Sequence, residues 1–285
     1  HYPEATAAEN PYRAMLSEVV KRQATLVSKW FGLGFIHGVM NTDNTSVIGE
    51  TIDYGPCAFM DTYHPTTVFS SIDYMSRYAF SNQPSILQWN LAQLAQSLLP
   101  LINTDMESAV SVAQAEIDAY PQVFEKALTS EFRLKLGLAT SHDDDLSLAM
   151  DLLECMAENE ADFTNTFQYL ADMIATDADD SDIRAQFSDP KSFDQWVTRW
   201  KTRLANETRS FDECATAMRQ KNPAVIPRNH LVEAAIRAAE DTGNFNVFNN
   251  LMDEVLDPFR LRASDSHYVT PPAPDEIVHQ TFCGT

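Results

Sequence analysis

The amino-acid sequence predicts a mainly α-helical protein with small β-hairpins at one end. Glycine is scarce, at 8 of 285 residues, whereas Ala, Leu, Met and Gln, which favour helices, are abundant. Apolar residues recur at helical spacing along most of the chain, and acidic or Pro-containing joints separate these segments. Because 44% of the residues are hydrophobic and 21% are charged, the composition is that of a folded globular protein with a sizeable core.

The first predicted helix covers Pro11–Trp30. Its apolar residues fall on one side, and it ends at the glycines of FGLGF. Two short β-prone pieces follow, Ser46–Ile48 and Thr51–Asp53, and they predict a small hairpin around the Gly49-Glu50 turn. Residues 54–84 contain several X-Pro dipeptides, which interrupt regular structure, and they predict an extended loop.

The rest of the chain is predicted to be a series of helices followed by an irregular, Pro-rich tail. The predicted helical segments are Ile86–Leu99, Thr104–Gly137, Asp143–Glu160, Asp162–Thr176, Ile183–Phe187, Ser192–Lys221, Leu231–Asp241 and Asn244–Leu256.

The charge and the composition exclude several classes of partner. A net charge of −21 argues against a nucleic-acid groove, which needs clustered Lys and Arg, and against binding to anionic membranes. No apolar run approaches the roughly 20 residues that cross a bilayer. The four cysteines include no CxxC pair, so we expect a reducing, cytoplasmic setting. A chain that opens HYPEATAAENPY without Met is expected to be a piece of a longer polypeptide.

Asp and Asn side chains surround the predicted hairpin, and almost no Lys or Arg stands near them in the sequence to pair with the carboxylates. Asn44 and Asp53 stand at its two ends, and a carboxylate with a carboxamide oxygen suits Mg²⁺ bound to phosphates. Asp43 is free to accept a proton from a hydroxyl nucleophile. The alternative is structural, because Asp and Asn are common in turns and Asp53 begins a Gly-Pro loop.

The order of these residues favours the functional interpretation. Protein kinases carry a loop H-R-D-x-x-x-x-N followed by D-F-G. Here His37 and Asn44 have the same spacing, and IDYG (52–55) stands where DFG would be. Val39 replaces the usual catalytic Asp, so Asp43 is the nearby carboxylate able to act as the base. We expect His37 to support this loop structurally.

Five motifs together resemble the selenoprotein O family and its bacterial homologues. They are HGVMNTDN, TIDYGPCAFMD, RYAFSNQPSILQWNLAQLAQSLLP, NPAVIPRNH and FCGT. The resemblance implies a kinase-fold protein that transfers AMP from ATP, held in an inverted orientation, to Ser, Thr or Tyr hydroxyls of acceptor proteins. It assigns Asp43 as the proton acceptor, Asn44 and Asp53 as ligands of Mg²⁺ or Mn²⁺, and Asp53 as a contact of the nucleotide phosphates.

The resemblance covers only the C-terminal portion of such proteins. It implies a protein-kinase-like C-lobe with a helical C-terminal extension: residues 1–100 form the lobe core with the catalytic and metal-binding loops, and residues 101–285 continue the lobe. The glycine-rich loop, the phosphate-pairing Lys and the arginines of the N-lobe are not recognisable in this sequence, so we expect the isolated chain to have little transferase activity.

Two alternatives remain open. The loss of Asp at position 39 is also typical of a non-catalytic, pseudokinase-type binding or regulatory module. A small-molecule kinase similar to the aminoglycoside phosphotransferases is a more distant alternative, which the same substitution disfavours.

The family resemblance also bears on Cys283 and on the PRNH segment. In selenoprotein O relatives the position that matches Cys283 is occupied by Cys or selenocysteine, and some bacterial members link it by a disulfide to a cysteine of the activation loop. That position falls near Phe69 here, so Cys57 is the nearest substitute, and the alternative is two free thiols. Arg228 and His230 are expected to hold loop carbonyls and helix ends together.

Overall fold

The computed structural model describes residues 1–176, 180–260 and 266–282. Across these residues the protein is mainly helical, with one two-stranded antiparallel sheet. The helices are α1 (Pro11–Leu33), α2 (Gln83–Ile102), α3 (Met106–Asp118), α4 (Tyr120–Lys135), α5 (Asp145–Glu158), α6 (Phe163–Asp172), α7 (Ser181–Ala185), α8 (Pro190–Leu204), α9 (Phe211–Lys221), α10 (Asn229–Thr242), α11 (Asn246–Val255) and α12 (Ser266–Val269). The strands are β1 (Phe35–Ile36) and β2 (Ala58–Phe59).

The helix α1 forms because its apolar residues share one side and its ends are well defined. The Asn10 side chain caps the N-terminus by accepting a hydrogen bond from the Arg13 amide, and the helix ends at Gly34. Its buried side packs against α2, α3 and α4. The segment that follows α1, which carries the candidate site, therefore begins at a helix that is packed against three others.

Two hydrophobic clusters make up the core of the described chain. One gathers residues of α1, α2 and α3 with β1, and the other gathers residues from α4 to α9. Phe31 and Phe124 pack against both clusters, and their rings lie 5.7 Å apart. The end of α1 is thus held between the two cores, which fixes the direction in which the following loop leaves the helix.

Two of the predicted long helices are each divided in two. The segment predicted over Thr104–Gly137 breaks at Ala119. The new helix begins at Tyr120 and has Pro121 in its first turn, where proline fits. The segment predicted over Ser192–Lys221 breaks at residues 205–210, where Ser210 forms a capping box with Glu213. Both start signals are local and were present in the sequence.

The predicted hairpin is reduced to a single antiparallel bridge between Thr45 and Thr51. The strands that do form lie outside it: Phe35 pairs with Phe59, and Ile36 pairs with Ala58. Burial explains the difference, because Ile36 and Ala58 are almost fully buried whereas the hairpin residues lie near the surface. The Phe35 and Phe59 rings meet at 5.2 Å across the ladder and add to the pairing.

No helix among residues 1–176, 180–260 and 266–282 is both long enough and apolar enough to cross a membrane.

Candidate functional site

The candidate site is built on residues 35–53, the segment that leaves α1 and passes through β1. Asp43 and Asn44 lie on a short 3-10 turn, Thr42–Asn44. The Asn44 Nδ2 donates a hydrogen bond to the Val39 carbonyl, at 3.0 Å. Because the Asn44 amide nitrogen bonds the main chain, the Asn44 amide oxygen is the side-chain atom able to bind a cation.

Asp53 has an unusual backbone conformation for a residue with a side chain. Its φ is 56°, in the left-handed region, which Asp tolerates better than most residues. Its carboxylate accepts a hydrogen bond from the Gly55 amide at 3.3 Å, an arrangement typical of an Asx turn. Conformational strain of this kind is common at functional sites, although it is also found in ordinary turns.

The bridge between Thr45 and Thr51 brings the two parts of the site side by side. Asn44 directly precedes Thr45 in the chain, and Ile52 and Asp53 directly follow Thr51. The structure therefore places the segments that carry all three predicted site residues next to each other at the level of the backbone.

Neither Asp43 nor Asp53 takes part in an ion pair with any of the residues that the structure describes. Both residues are exposed. Two accessible carboxylates on adjoining segments produce a local negative field, which favours the approach of a cation.

The oxygen donors of these residues decide which kind of metal site they suit. The described part of the chain holds no group of three or more His, Cys, Asp or Glu residues arranged as a metal cage. Mg²⁺ rarely uses such cages, because it keeps several waters and binds through one or two carboxylates plus substrate phosphates. The oxygen donors of Asn44 and Asp53 fit that second kind of site.

His37 lies under the site rather than in it. It is fully buried, its Nε2 donates to the Ile52 carbonyl at 2.8 Å, and the Val39 amide approaches its Nδ1 at 3.4 Å. Burial lowers the pKa of the imidazole, and the neutral ring matches these two contacts. This geometry agrees with a supporting role for His37.

Four side chains that the sequence did not single out hold the segment from two helices. From α1, the Gln23 amide donates to the Ser46 carbonyl and the Trp30 indole donates to Thr51 Oγ1 at 2.9 Å. From α2, Gln83 and Asn90 bond the main chain near β1 and near the 3-10 turn. Polar residues on buried helix faces were the available signal, since such groups need partners.

Arg228 binds structural elements together. It is fully buried, and its guanidinium bonds Asp61, Asp162 at 2.8 Å, Asn165 at 3.2 Å and the Val269 carbonyl at 3.0 Å. It thereby joins the loop after β2, the N-terminal cap of α6 and the C-terminal region. These contacts agree with the structural role expected for Arg228.

The predicted Cys57–Cys283 link falls partly outside the described residues, because Cys283 lies in 283–285. The chain leading to it is described. Thr281 exchanges main-chain hydrogen bonds with Phe69 and Ser71, and its hydroxyl donates to the Pro56 carbonyl at 2.5 Å. Burial raises the pKa of the Cys57 thiol to about 11, which keeps it a thiol at neutral pH. The pairing itself stays a prediction.

Comparison with known proteins identifies relatives along the whole chain. A family model described as protein adenylyltransferase SelO matches residues 1–256. Proteins named protein nucleotidyltransferase YdiU from Bradyrhizobium diazoefficiens and Rhodopseudomonas palustris are 53% and 50% identical over 285 residues. A protein of the same name from Nitrobacter hamburgensis is 50% identical over the same span. The chain covers 58%, 58% and 56% of these three proteins.

Proposed function

The chain belongs to the SelO family, and on that basis we propose that the complete protein is a protein adenylyltransferase. It transfers AMP from ATP to Ser, Thr or Tyr hydroxyls of acceptor proteins. The relatives carry the name nucleotidyltransferase, and that name supports the reaction class. Transfer to proteins, the choice of AMP and a cytoplasmic location in a bacterium are parts of the proposal.

One observation supports the proposal within this chain: the Thr45–Thr51 bridge brings the segment that carries Asp43 and Asn44 next to the segment that carries Asp53. Asp43 accepts the proton of the acceptor hydroxyl as its oxygen attacks the α-phosphorus. A new oxygen–phosphorus bond forms, the bond between the α-phosphorus and the bridging oxygen breaks, and pyrophosphate leaves. Asn44 and Asp53 would hold Mg²⁺ or Mn²⁺, which when bound would neutralise phosphate charge.

We propose that this chain supplies the kinase-like C-lobe of that enzyme. In this division, residues 1–100 hold the catalytic and metal-binding loops, and residues 101–285 continue the lobe. The relatives are longer than this chain, and their additional length is proposed to supply the groups that grip the nucleotide. The chain alone is therefore expected to transfer little AMP.

The test uses the complete gene product, ATP labelled at the α-phosphate or at the γ-phosphate, Mg²⁺ or Mn²⁺, and a mixture of acceptor proteins. We expect protein labelling from the α-position with release of pyrophosphate, and loss of labelling in Asp43→Asn. Asp53→Asn, which tolerates the left-handed backbone, should remove the metal-dependent thermal stabilisation by ATP without lowering the melting temperature of the free protein.

The competing function is a non-catalytic, pseudokinase-type binding module. The buried Val39 at the usual position of the catalytic Asp favours it. ATP-dependent stabilisation without labelling from either phosphate would support the binding module and overturn the transferase. Labelling from the γ-phosphate would identify a kinase instead.

A further inference from the structure

Two buried amide side chains on α2, Gln83 and Asn90, face the candidate catalytic segment. They stand seven residues apart, which is two helical turns, and so they share one face of the helix. Gln83 is fully buried and Asn90 is 3% exposed. We call these two residues the amide pair.

Gln83 holds the start of the segment. Its Oε1 accepts a hydrogen bond from the His37 amide at 3.0 Å, and its Nε2 donates to the Phe35 carbonyl at 3.0 Å. The amide thus bonds the main chain on both sides of Ile36, as a neighbouring strand would. The position of β1 is fixed to the first turn of α2.

Asn90 holds the other end. Its Nδ2 donates to the Met40 carbonyl at 3.0 Å and to Thr45 Oγ1 at 2.8 Å. Thr45 Oγ1 in turn donates to the Asn41 carbonyl at 3.1 Å. Asn90 therefore spans the 3-10 turn, with Asp43 and Asn44 lying between its two contacts.

The hydrogen bonding of the Asn90 amide is incomplete, because only its nitrogen has partners among the residues that the structure describes. The Asn90 Oδ1 is buried and has no hydrogen-bond partner within the part of the chain that is described. An unpaired buried acceptor costs about 1–3 kcal/mol. The hydrogen bonds of Asn90 within the described residues are therefore those that its Nδ2 donates to the candidate segment.

We propose that the amide pair, and Asn90 above all, positions Asp43 and Asn44 for the reaction, so that the register of α2 sets the geometry of the active site. The inference rests on the proposed function. Neither amide is one of the proposed reacting groups. Gln83 acts through the main chain of the segment, and Asn90 acts through the Met40 carbonyl and the Thr45 hydroxyl. A shift of about 1 Å at a reacting group is enough to slow a reaction by about 100-fold.

The test is a double-mutant cycle in the complete gene product with Asn90→Ala, Thr45→Val and the two together. We expect each single change to lower kcat for AMP transfer at least about tenfold with little change in KM for ATP. The double variant should lose less activity than the two single effects combined, because both changes remove the hydrogen bond between Asn90 and Thr45. Thr45→Ser keeps the hydroxyl and should lie closer to the unsubstituted protein than Thr45→Val.

Asn159→Ala is the matched control, since Asn159 Nδ2 also donates to a carbonyl, that of Cys155 at 2.8 Å, at the end of α5. It should lower the melting temperature and leave kcat unchanged. If Asn90→Ala also lowers only the melting temperature, or if the effects of Asn90→Ala and Thr45→Val on kcat are additive, the positioning role is wrong.

Hydrogen exchange separates failure of this inference from failure of the proposed function. Asn90→Ala should accelerate amide exchange in residues 41–45 while the α4–α9 core stays protected. If the unsubstituted protein transfers no nucleotide, the proposed function fails, and this exchange result still decides whether Asn90 fixes the turn. Unchanged exchange in residues 41–45 would overturn the inference.

Discussion

The Nε2 of His37 lies 2.8 Å from the carbonyl oxygen of Ile52, so that one buried imidazole joins the start of the candidate loop to the residue before Asp53. The contact links two positions 15 residues apart across the Thr45–Thr51 bridge. It couples the positions of the two halves of the site to the packing beneath them.

His37→Ala is expected to lower the free energy of unfolding by about 1–3 kcal/mol, because it removes a fully buried side chain and its hydrogen bond to the Ile52 carbonyl. Urea unfolding followed by circular dichroism measures the change. His142→Ala, at an exposed histidine, serves as the control and should stay within about 0.5 kcal/mol of the unsubstituted protein. Equal effects of the two changes would show that the imidazole contact contributes little.

Gly38→Ala is expected to be destabilising for two separate reasons. Gly38 has φ +82°, and a Cβ there would lie 2.9 Å from the Pro56 carbonyl oxygen. Gly243→Ala is the control, since Gly243 has φ +65° but, among the described residues and apart from its neighbours along the chain, no heavy atom lies within 4 Å of the added carbon. Thermal unfolding should show Gly38→Ala less stable than Gly243→Ala by about 2 kcal/mol, the cost of overpacking. Similar stabilities of the two variants would mean that the segment around Pro56 moves aside at little energetic cost.

Arg228→Met is expected to cost about 3–5 kcal/mol, because it leaves the buried carboxylate of Asp162 without its positive partner. Arg199→Met provides the comparison. The Arg199 pair with Asp151 lies at the surface, with Arg199 53% exposed, and its loss should cost no more than about 1 kcal/mol. Chemical denaturation of both variants checks the difference, and a small effect at Arg228 would contradict the structural role given to it.

Lys135 is expected to make stability depend on pH. It is buried, its Nζ donates to Asn222 Oδ1 at 2.7 Å, and it lies 3.9 Å from the centre of the Phe167 ring. Burial lowers the pKa of its ammonium group to about 7. The unfolded chain keeps this proton up to about pH 10, so unfolding takes up a proton between these values, and stability rises with pH there.

The measurement is urea unfolding at pH 7.5 and pH 9. The unsubstituted protein should gain about 1–2 kcal/mol relative to Lys135→Met over this interval. Lys126→Met changes an exposed lysine of the same helix and should leave the slope as it is. Parallel curves for the unsubstituted protein and Lys135→Met would show that the Lys135 ammonium group is not desolvated in the folded state.

Much of the helical architecture was readable from local patterns. The helix α1 followed from apolar spacing and from the glycines after it, and α10 and α11 were expected within two residues of their observed ends. These features depend on residues within a few turns of one another. The divisions at Ala119 and before Ser210 were missed although Pro121 and the Ser210–Glu213 capping box mark them locally.

The sequence alone determined that the protein is mainly helical and belongs to the SelO family. It also predicted the candidate site as a set of residues, Asp43, Asn44 and Asp53, in order along one segment. Only the tertiary structure showed what holds that segment. The β1–β2 pairing and the bonds from Gln83 and Asn90 join residues between 22 and 50 positions apart. Such contacts are decided by how helices pack, because a buried amide bonds whichever main-chain group the fold brings to it, and no local pattern specifies that group.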